Sequence, residues 1–241
     1  MGKNTKGDMD CATKALTLHV SDSIGDVDAL LLFPEDAGWL LVLAHGAGAG
    51  MDHPFMEDLA RELSKRRVAT FRYQFPYMQQ RRKRPDSPAI LTATVRAAVM
   101  AGSKAASGVP LLAGGKSLGG RMTSLAFADG GAPATSGMAR VRGLVLFGFP
   151  LHPAGRPGTQ RAEHMARVRV PMLFLQGTRD ALADLMLLRP LCDRLGPLAT
   201  LDVVDGADHS FHVPKRTGRA DSEVLSELAS RVASWANGMP T

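Results

Sequence analysis

Short, continuously apolar runs alternate along this chain with longer segments in which apolar residues recur every three or four positions. Residues 39–44 read Trp-Leu-Leu-Val-Leu-Ala, without the polar alternation of a half-exposed strand. A strand that is apolar on both faces is typical of a parallel sheet covered by helices on both sides. The alternation therefore predicts βαβ units and an α/β fold.

The apolar runs predict a mainly parallel central sheet of about seven or eight strands with helices on both faces. Two early runs, 15–20 and 29–33, lie close together in the sequence and predict an antiparallel start. Further strands are expected at 39–44, 68–73, 109–113, 141–147, 170–175 and 198–204. Helices are expected at 54–67, 89–106, 118–128 and close to the end of the chain.

We expect residues 1–241 to form a single domain, with about 1–12 as a loose N-terminal tail. The segment 130–137, rich in Gly, Ala and Pro, predicts a loop. The longest ambiguous insertion, 149–169, is too short to fold as a cap domain, so we expect none.

The N-terminal charges are not followed by an apolar stretch, and no apolar run reaches membrane-spanning length. We therefore expect a cytoplasmic protein that does not enter a membrane. Cys11 and Cys192 stand far apart without the spacing of metal ligands, which predicts two reduced thiols and no metal site.

The formal net charge of +6 raises the question of an anionic partner. The densest basic cluster is Arg81, Arg82, Lys83 and Arg84, directly before Pro85. No nucleic-acid-binding motif or interleaved aromatic pattern accompanies it. We therefore expect no nucleic-acid partner, and interpret the cluster as a solvated loop or as the rim of a binding pocket.

Ser117 stands at the centre of Gly115-Lys116-Ser117-Leu118-Gly119, between an apolar run and a predicted helix. G-x-S-x-G in this position is typical of a tight strand-to-helix turn that exposes the serine hydroxyl. A serine hydroxyl is a weak nucleophile, and it needs a base that a third group holds in place. The motif predicts Ser117 as a nucleophile, with an ordinary turn and a structural serine as the alternative.

The same residues also resemble the end of a phosphate-binding loop, G-x-x-x-x-G-K-[ST]. That motif needs a glycine five residues before Gly115, where this sequence has Pro110. An apolar strand, rather than an open loop of amide donors, separates the two positions. We therefore expect no nucleotide and no other cofactor.

Acyl transfer places negative charge on a carbonyl oxygen, which backbone N–H groups can stabilise. Leu118, directly after the serine, is expected to supply one donor. The glycine-rich loop 45–50 follows an apolar run and is expected to supply the other. Ala47 is the favoured donor and Gly48 the alternative, whereas His45 is expected to stabilise the loop.

An acid and then a histidine should follow the serine in the sequence. Asp180 follows the predicted strand 170–175, and His209 follows the last predicted strand. Asp180 would hold the imidazole of His209 while that ring removes the serine proton. His212 stays open as an alternative base, and the competing acids are Asp184, Asp202, Asp205 and Asp208.

With these residues in place, the sequence resembles the α/β-hydrolase superfamily. Specifically, it is similar to the small, capless dienelactone-hydrolase-like branch that includes bacterial relatives of testis-expressed protein 30. The motifs that carry the resemblance span most of the chain beyond its first residues: 45–56, 75–77, 84–86, 114–121, 147–153, 176–180 and 206–211.

The resemblance implies a hydrolase with the Ser117, Asp180 and His209 triad. It also implies that the basic run belongs to the architecture of the branch. Ser117 stands where dienelactone hydrolases have a cysteine nucleophile, so their substrate is not implied.

We expect the protein to cleave a small acyl ester through an acyl-enzyme intermediate. Arg81, Arg82 and Arg84 would stand at the pocket mouth and favour an anionic substrate. The alternatives are a non-catalytic scaffold, a thioesterase and a serine peptidase.

Overall fold

A computed structural model describes residues 12–128 and 137–239 of the protein. Cys11 and the predicted N-terminal tail, apart from Ala12, lie outside these residues. The predicted loop 130–137, apart from Gly137, also lies outside them.

The strands of the described residues are β1 (Thr13–Ser21), β2 (Gly25–Leu32), β3 (Trp39–Ala44), β4 (Val68–Tyr73), β5 (Leu111–Lys116), β6 (Val141–Phe147), β7 (Met172–Gly177) and β8 (Ala199–Val204). These eight strands form one sheet in the order β1-β2-β4-β3-β5-β6-β7-β8. The first two strands pair antiparallel, β2 also pairs antiparallel with β4, and all other neighbours are parallel. This confirms the mainly parallel sheet and its antiparallel start.

Helices cover both faces of the sheet, as the continuous apolar strands predict. The α-helices are α1 (Pro54–Ser64), α2 (Pro76–Gln79), α3 (Pro88–Ala105), α4 (Leu118–Ala128), α5 (Leu185–Leu195) and α6 (Asp221–Asn237). Short 3₁₀ helices span Gly137–Arg140, Gln160–Arg167, Gly196–Leu198 and Lys215–Thr217.

The core consists of two apolar layers separated by the sheet. In β3, Leu40 and Val42 pack into the layer beneath α3, α4 and α5, while Leu41 and Leu43 pack beneath α1 and α6. Successive side chains of a strand point to opposite faces, so a central strand needs an apolar residue at every position. No separate cap domain is apparent among the described residues.

Three differences from the sequence-based prediction bear on the site. Strand β7 spans Met172–Gly177 and not 170–175, so it includes Gln176. Strand β5 continues through the glycines to Lys116, because these residues pair in parallel with β6 up to Phe147. Helix α5 was not predicted, since Pro190 interrupts its pattern. Asp184 begins this helix by accepting a hydrogen bond from the Met186 N–H.

Candidate active site

Ser117 occupies the turn between β5 and α4, at the carboxyl edge of the parallel strands. Its φ of +50° lies in the left-handed region, which costs a non-glycine residue on the order of 1–2 kcal/mol. The Ser117 N–H donates to the carbonyl of Phe147 at 2.9 Å, which holds the turn against β6. The strained turn presents the hydroxyl beyond the end of the strand, as the motif predicts.

Gly119 allows α4 to start close against β3. A Cβ on Gly119 would lie 2.5 Å from the carbonyl oxygen of Ala44 and 2.6 Å from that of His45. Both obstacles are backbone atoms, so no rotamer change could relieve the overlap. The glycine of the motif is therefore required by the approach of strand and helix.

His209 and Asp180 lie beside Ser117 and form a continuous hydrogen-bonded chain with it. His209 Nε2 is 2.8 Å from Ser117 Oγ, and His209 Nδ1 is 2.8 Å from Asp180 Oδ2. A proton on Nδ1 would be donated to the carboxylate and leave Nε2 as acceptor for the serine hydroxyl. The structure thus brings together the three side chains that the sequence assigned to one site.

Asp180 is fixed by its surroundings as well as by His209. Its side chain is fully buried (0% exposed). Oδ1 accepts the Leu182 N–H at 2.8 Å, and Oδ2 accepts the Gln176 side-chain amide at 2.5 Å. With donors on both oxygens, the carboxylate has a single orientation towards the imidazole.

The loop that carries His209 is shaped by the carboxylate of Asp208. This side chain accepts the backbone N–H groups of Ser210 at 2.8 Å and His212 at 3.0 Å. Asp208 therefore stabilises the loop and does not contact the ring of its neighbour. His212, the alternative base, contacts Asp221 at 2.8 Å on an exposed part of the surface.

The other competing acids have partners elsewhere. Asp184 caps α5, Asp202 forms an ion pair with Arg231, and Asp205 accepts a hydrogen bond from Thr178. These contacts leave Asp180 as the carboxylate beside His209.

The two predicted oxyanion donors have free N–H groups. Among the described residues, neither the Leu118 N–H nor the Ala47 N–H donates to a protein acceptor. Leu118 is the first residue of α4, where backbone N–H groups have no partner within the helix. Both donors are thus available to a ligand; their role as an oxyanion hole stays a prediction.

His45 connects the glycine-rich loop to the rest of the fold. Its Nε2 accepts the Phe75 N–H at 3.0 Å, and its Nδ1 lies 2.8 Å from the Gly46 carbonyl. Burial lowers the pKa of His45 to about 4, so the ring is neutral at physiological pH and bridges both groups. This contact pattern agrees with the predicted loop-stabilising role.

A cavity of about 310 Å³ opens beside Ser117. The glycine-rich loop and the start of α1 form one wall, and β5 and the His209 loop form the other. The lining residues are Gly46, Ala47, Gly48, Ala49, His53, Phe55, Met56, Lys116, Ser117, His209 and Ser210.

The structure does not bring the predicted rim arginines into this cavity lining. Arg81, Arg82 and Arg84 are exposed and absent from the lining residues of the described chain. Arg82 instead donates to Asp86 at 2.6 Å, four residues further along. The cavity geometry therefore gives no support to an anion-selecting rim at these positions.

Three features of the site escaped the sequence analysis: the amide of Gln176, the rings of Phe55 and Phe211, and the ammonium of Lys116. Phe55 stands at four-residue spacing from Leu59 and Leu63 in the predicted helix 54–67, a pattern that indicates a core position. Lys116 ends β5 directly before Ser117, and Gln176 is the penultimate residue of β7, four positions before Asp180. Their position at the carboxyl edge of a parallel sheet is the signal that could have identified them.

Within 12–128 and 137–239, no group of three or more His, Cys, Asp or Glu side chains could hold a metal ion. No helix in the same ranges is both long and apolar enough to cross a bilayer.

Comparison with known proteins agrees with this architecture. A dienelactone hydrolase from Anabaena variabilis superposes with a TM-score of 0.70 at 18% identity, over 93% of this chain and 96% of that one. A serine hydrolase without a lid from Xanthomonas campestris superposes with a TM-score of 0.70 at 21% identity, over 95% of this chain and 97% of that one. An alpha-beta serine hydrolase homologue from Coxiella burnetii superposes with a TM-score of 0.68 at 17% identity, over 91% of this chain and 96% of that one.

These similarities concern the fold. The family described as "Alpha/beta hydrolase domain" matches residues 37–237, which include the whole site and most of the chain. The protein therefore belongs to the alpha/beta hydrolase family.

Proposed function

We propose that this hydrolase cleaves small acyl esters, with Ser117 as nucleophile, His209 as general base and Asp180 as the group that orients the base. The observation that carries the proposal is the pair of 2.8 Å hydrogen bonds from Ser117 Oγ to His209 Nε2 and from His209 Nδ1 to Asp180 Oδ2. This is the arrangement in which a serine hydroxyl becomes a nucleophile.

In the first half of the reaction, Ser117 Oγ attacks the ester carbonyl while its proton passes to His209 Nε2. Asp180 stabilises the imidazolium that forms. The Leu118 and Ala47 N–H groups stabilise the oxyanion, at about 3 kcal/mol for each well-placed donor. Collapse of the intermediate breaks the C–O ester bond, and His209 returns the proton to the departing alcohol.

In the second half, water attacks the Ser117 acyl ester as its proton passes to His209. The second tetrahedral intermediate uses the same two N–H groups. It releases the carboxylic acid, and His209 returns the proton to Ser117 Oγ.

The preference for small acyl groups rests on the cavity. Its volume of about 310 Å³ is at the lower end of ligand sites, and Phe55 and Met56 give one wall an apolar surface. A short apolar acyl group fits these dimensions, whereas a long chain would extend into solvent.

The test is hydrolysis of p-nitrophenyl acetate, butyrate, octanoate and palmitate by the purified protein and by Ser117→Ala. We expect the acetate and butyrate to give the highest kcat/KM, and Ser117→Ala to lose at least about 10³-fold in kcat.

Ser210→Ala is the matched control, because Ser210 also lines the cavity but has no contact with His209 Nε2. Because its hydroxyl is not hydrogen-bonded to the imidazole, this variant should lose far less kcat than Ser117→Ala. Equal hydrolysis by wild type and Ser117→Ala would exclude the proposed mechanism. No hydrolysis of any of the four esters by the folded wild-type protein would instead favour a binding scaffold.

A further inference from the structure

Lys116, the residue directly before the proposed nucleophile, has a buried ammonium group. Only 9% of the residue is exposed, although lysine side chains in folded proteins normally reach water. Its Nζ donates a 2.5 Å hydrogen bond to the backbone carbonyl of His209. The side chain therefore connects the end of β5 to the loop that holds the proposed base.

Aromatic rings and a glycine surround the ammonium. The ring centres of Phe55 and Phe211 lie 5.8 and 5.4 Å from Nζ, within range for cation–π attraction. A Cβ on Gly148 would stand 3.0 Å from Nζ and 3.5 Å from Asp180 Oδ2. Because Gly148 has no side chain, the Lys116 ammonium and the Asp180 carboxylate can both lie close to this position.

This cation is held without a direct ion pair. Among the described residues, no carboxylate oxygen comes within 4.0 Å of Lys116 Nζ. Burial lowers the pKa of Lys116 to about 8, while attraction to Asp180 and Asp208 opposes the shift. A buried charge in such a position lowers stability, so simple packing does not explain it: methionine would fill a similar volume without the desolvation cost.

We propose that Lys116 is a positioning residue for His209, an inference that rests on the proposed function. Its hydrogen bond fixes the His209 carbonyl from the β5 side, while Asp208 fixes the following N–H groups. Its positive charge offsets part of the negative charge of Asp180. The net charge beside the imidazole is therefore less negative than Asp180 alone would make it.

Two substitutions separate the hydrogen bond from the charge. Lys116→Met removes both, whereas Lys116→Gln keeps an N–H donor and removes only the charge. Lys104→Met, at an exposed position in the last turn of α3, is the matched control for the same chemical change. Should Lys116→Met fail to fold, Lys116→Gln carries the test.

The pH dependence of p-nitrophenyl acetate hydrolysis provides the kinetic readout. In Lys116→Met, kcat should fall about 10- to 100-fold with little change in KM, the range expected when a supporting contact of a catalytic group is lost. The acidic limb of the pH profile of kcat/KM should move about one unit to higher pH, because the Lys116 ammonium no longer offsets the negative charge of Asp180. Lys116→Gln should recover part of kcat and keep the displaced limb.

Thermal unfolding separates a positioning role from a structural one. Lys116→Met should melt at the wild-type temperature or above it, since the buried charge is gone. Wild-type kcat with an undisplaced limb would overturn the inference. So would a loss of kcat that comes with a large drop in melting temperature and no displacement of the limb.

Amide hydrogen exchange tests the positioning role independently of catalysis. Lys116→Met should accelerate exchange at Ser210, Phe211 and His212, and Lys104→Met should not. Unchanged exchange in Lys116→Met would contradict the inference even if the protein hydrolyses esters. If wild type and Ser117→Ala instead hydrolyse esters equally, the proposed function fails. The exchange result still shows whether the hydrogen bond from Lys116 to the His209 carbonyl holds the loop in place.

Discussion

Gln176 and Asp180 share a short, fully buried hydrogen bond: the Gln176 amide donates to Asp180 Oδ2 at 2.5 Å. The same oxygen faces His209 Nδ1 at 2.8 Å. Gln176 is the penultimate residue of β7, and its side chain is completely shielded from solvent. The end of a central strand therefore sets the direction from which the carboxylate meets the imidazole.

Gln176→Met removes this donor and keeps an unbranched side chain of similar length. We expect kcat for short esters to fall about tenfold with KM nearly unchanged, because a less constrained carboxylate holds the imidazole less well. Steady-state kinetics on p-nitrophenyl acetate measure both constants. A rise in KM at constant kcat would instead assign Gln176 to substrate binding.

Asp180→Asn keeps the size of the side chain and removes its charge. An amide at this position favours the wrong imidazole tautomer, so kcat should fall by roughly 10⁴-fold. Asp208→Asn is the control, since this carboxylate caps backbone N–H groups and does not face the ring. If Asp208→Asn loses as much activity as Asp180→Asn, the assignment of the acid is wrong.

Gly119→Ala should destabilise the fold. The new Cβ would stand 2.5 Å from the Ala44 carbonyl oxygen, and only a shift of α4 away from β3 could relieve the contact. We expect the free energy of unfolding in urea to fall by about 1–3 kcal/mol. Gly38→Ala, where the nearest atom would be 4.0 Å away, should change it far less. Equal losses would show that the close approach is not what requires Gly119.

Much of this architecture follows from local patterns. The β3, β4 and β6 strands have the predicted bounds, because an unbroken apolar run with clear flanks specifies a central strand. The order Ser117, Asp180, His209 could be proposed because each residue follows a predicted strand, and parallel strands end at one edge.

What the sequence could not provide depends on contacts between distant segments. The Lys116–His209 and Gln176–Asp180 hydrogen bonds form only after strands and loops meet. Helix α5 was missed because the side-chain cap from Asp184 and the surrounding packing outweigh the cost of Pro190. The basic run could not be located relative to the cavity, since loop direction has no periodic signal.

His45 should make stability depend on pH. The pKa of His45 is lowered from the ordinary 6.5 to about 4 in the folded protein. As pH falls, the imidazole is therefore protonated in the unfolded chain before it is protonated in the folded one, which favours unfolding. The stabilisation is complete above pH 6.5 and is lost as pH falls towards 4, by on the order of 3 kcal/mol. Urea unfolding at a series of pH values measures this loss.

In His45→Gln, the new side-chain amide can accept a hydrogen bond from the Phe75 N–H and donate one to the Gly46 carbonyl. Unlike the imidazole, an amide does not take up a proton in this pH range. This variant should therefore lose less stability over the same interval. His53→Gln, at an exposed position, should keep the wild-type difference in stability between the two ends of the pH series, although it replaces the side-chain acceptor for the Phe55 N–H. Identical pH profiles for wild type and His45→Gln would contradict the buried neutral ring.

The most direct test of the central claim is to map the adduct of a fluorophosphonate probe by peptide mass spectrometry. Ser117 and Ser210 both line the cavity, but only Ser117 lies 2.8 Å from His209 Nε2. The proposed function predicts a single adduct on the Ser117 peptide, lost in Ser117→Ala and retained in Ser210→Ala. An adduct on Ser210, or no adduct on the folded wild-type protein, would contradict it.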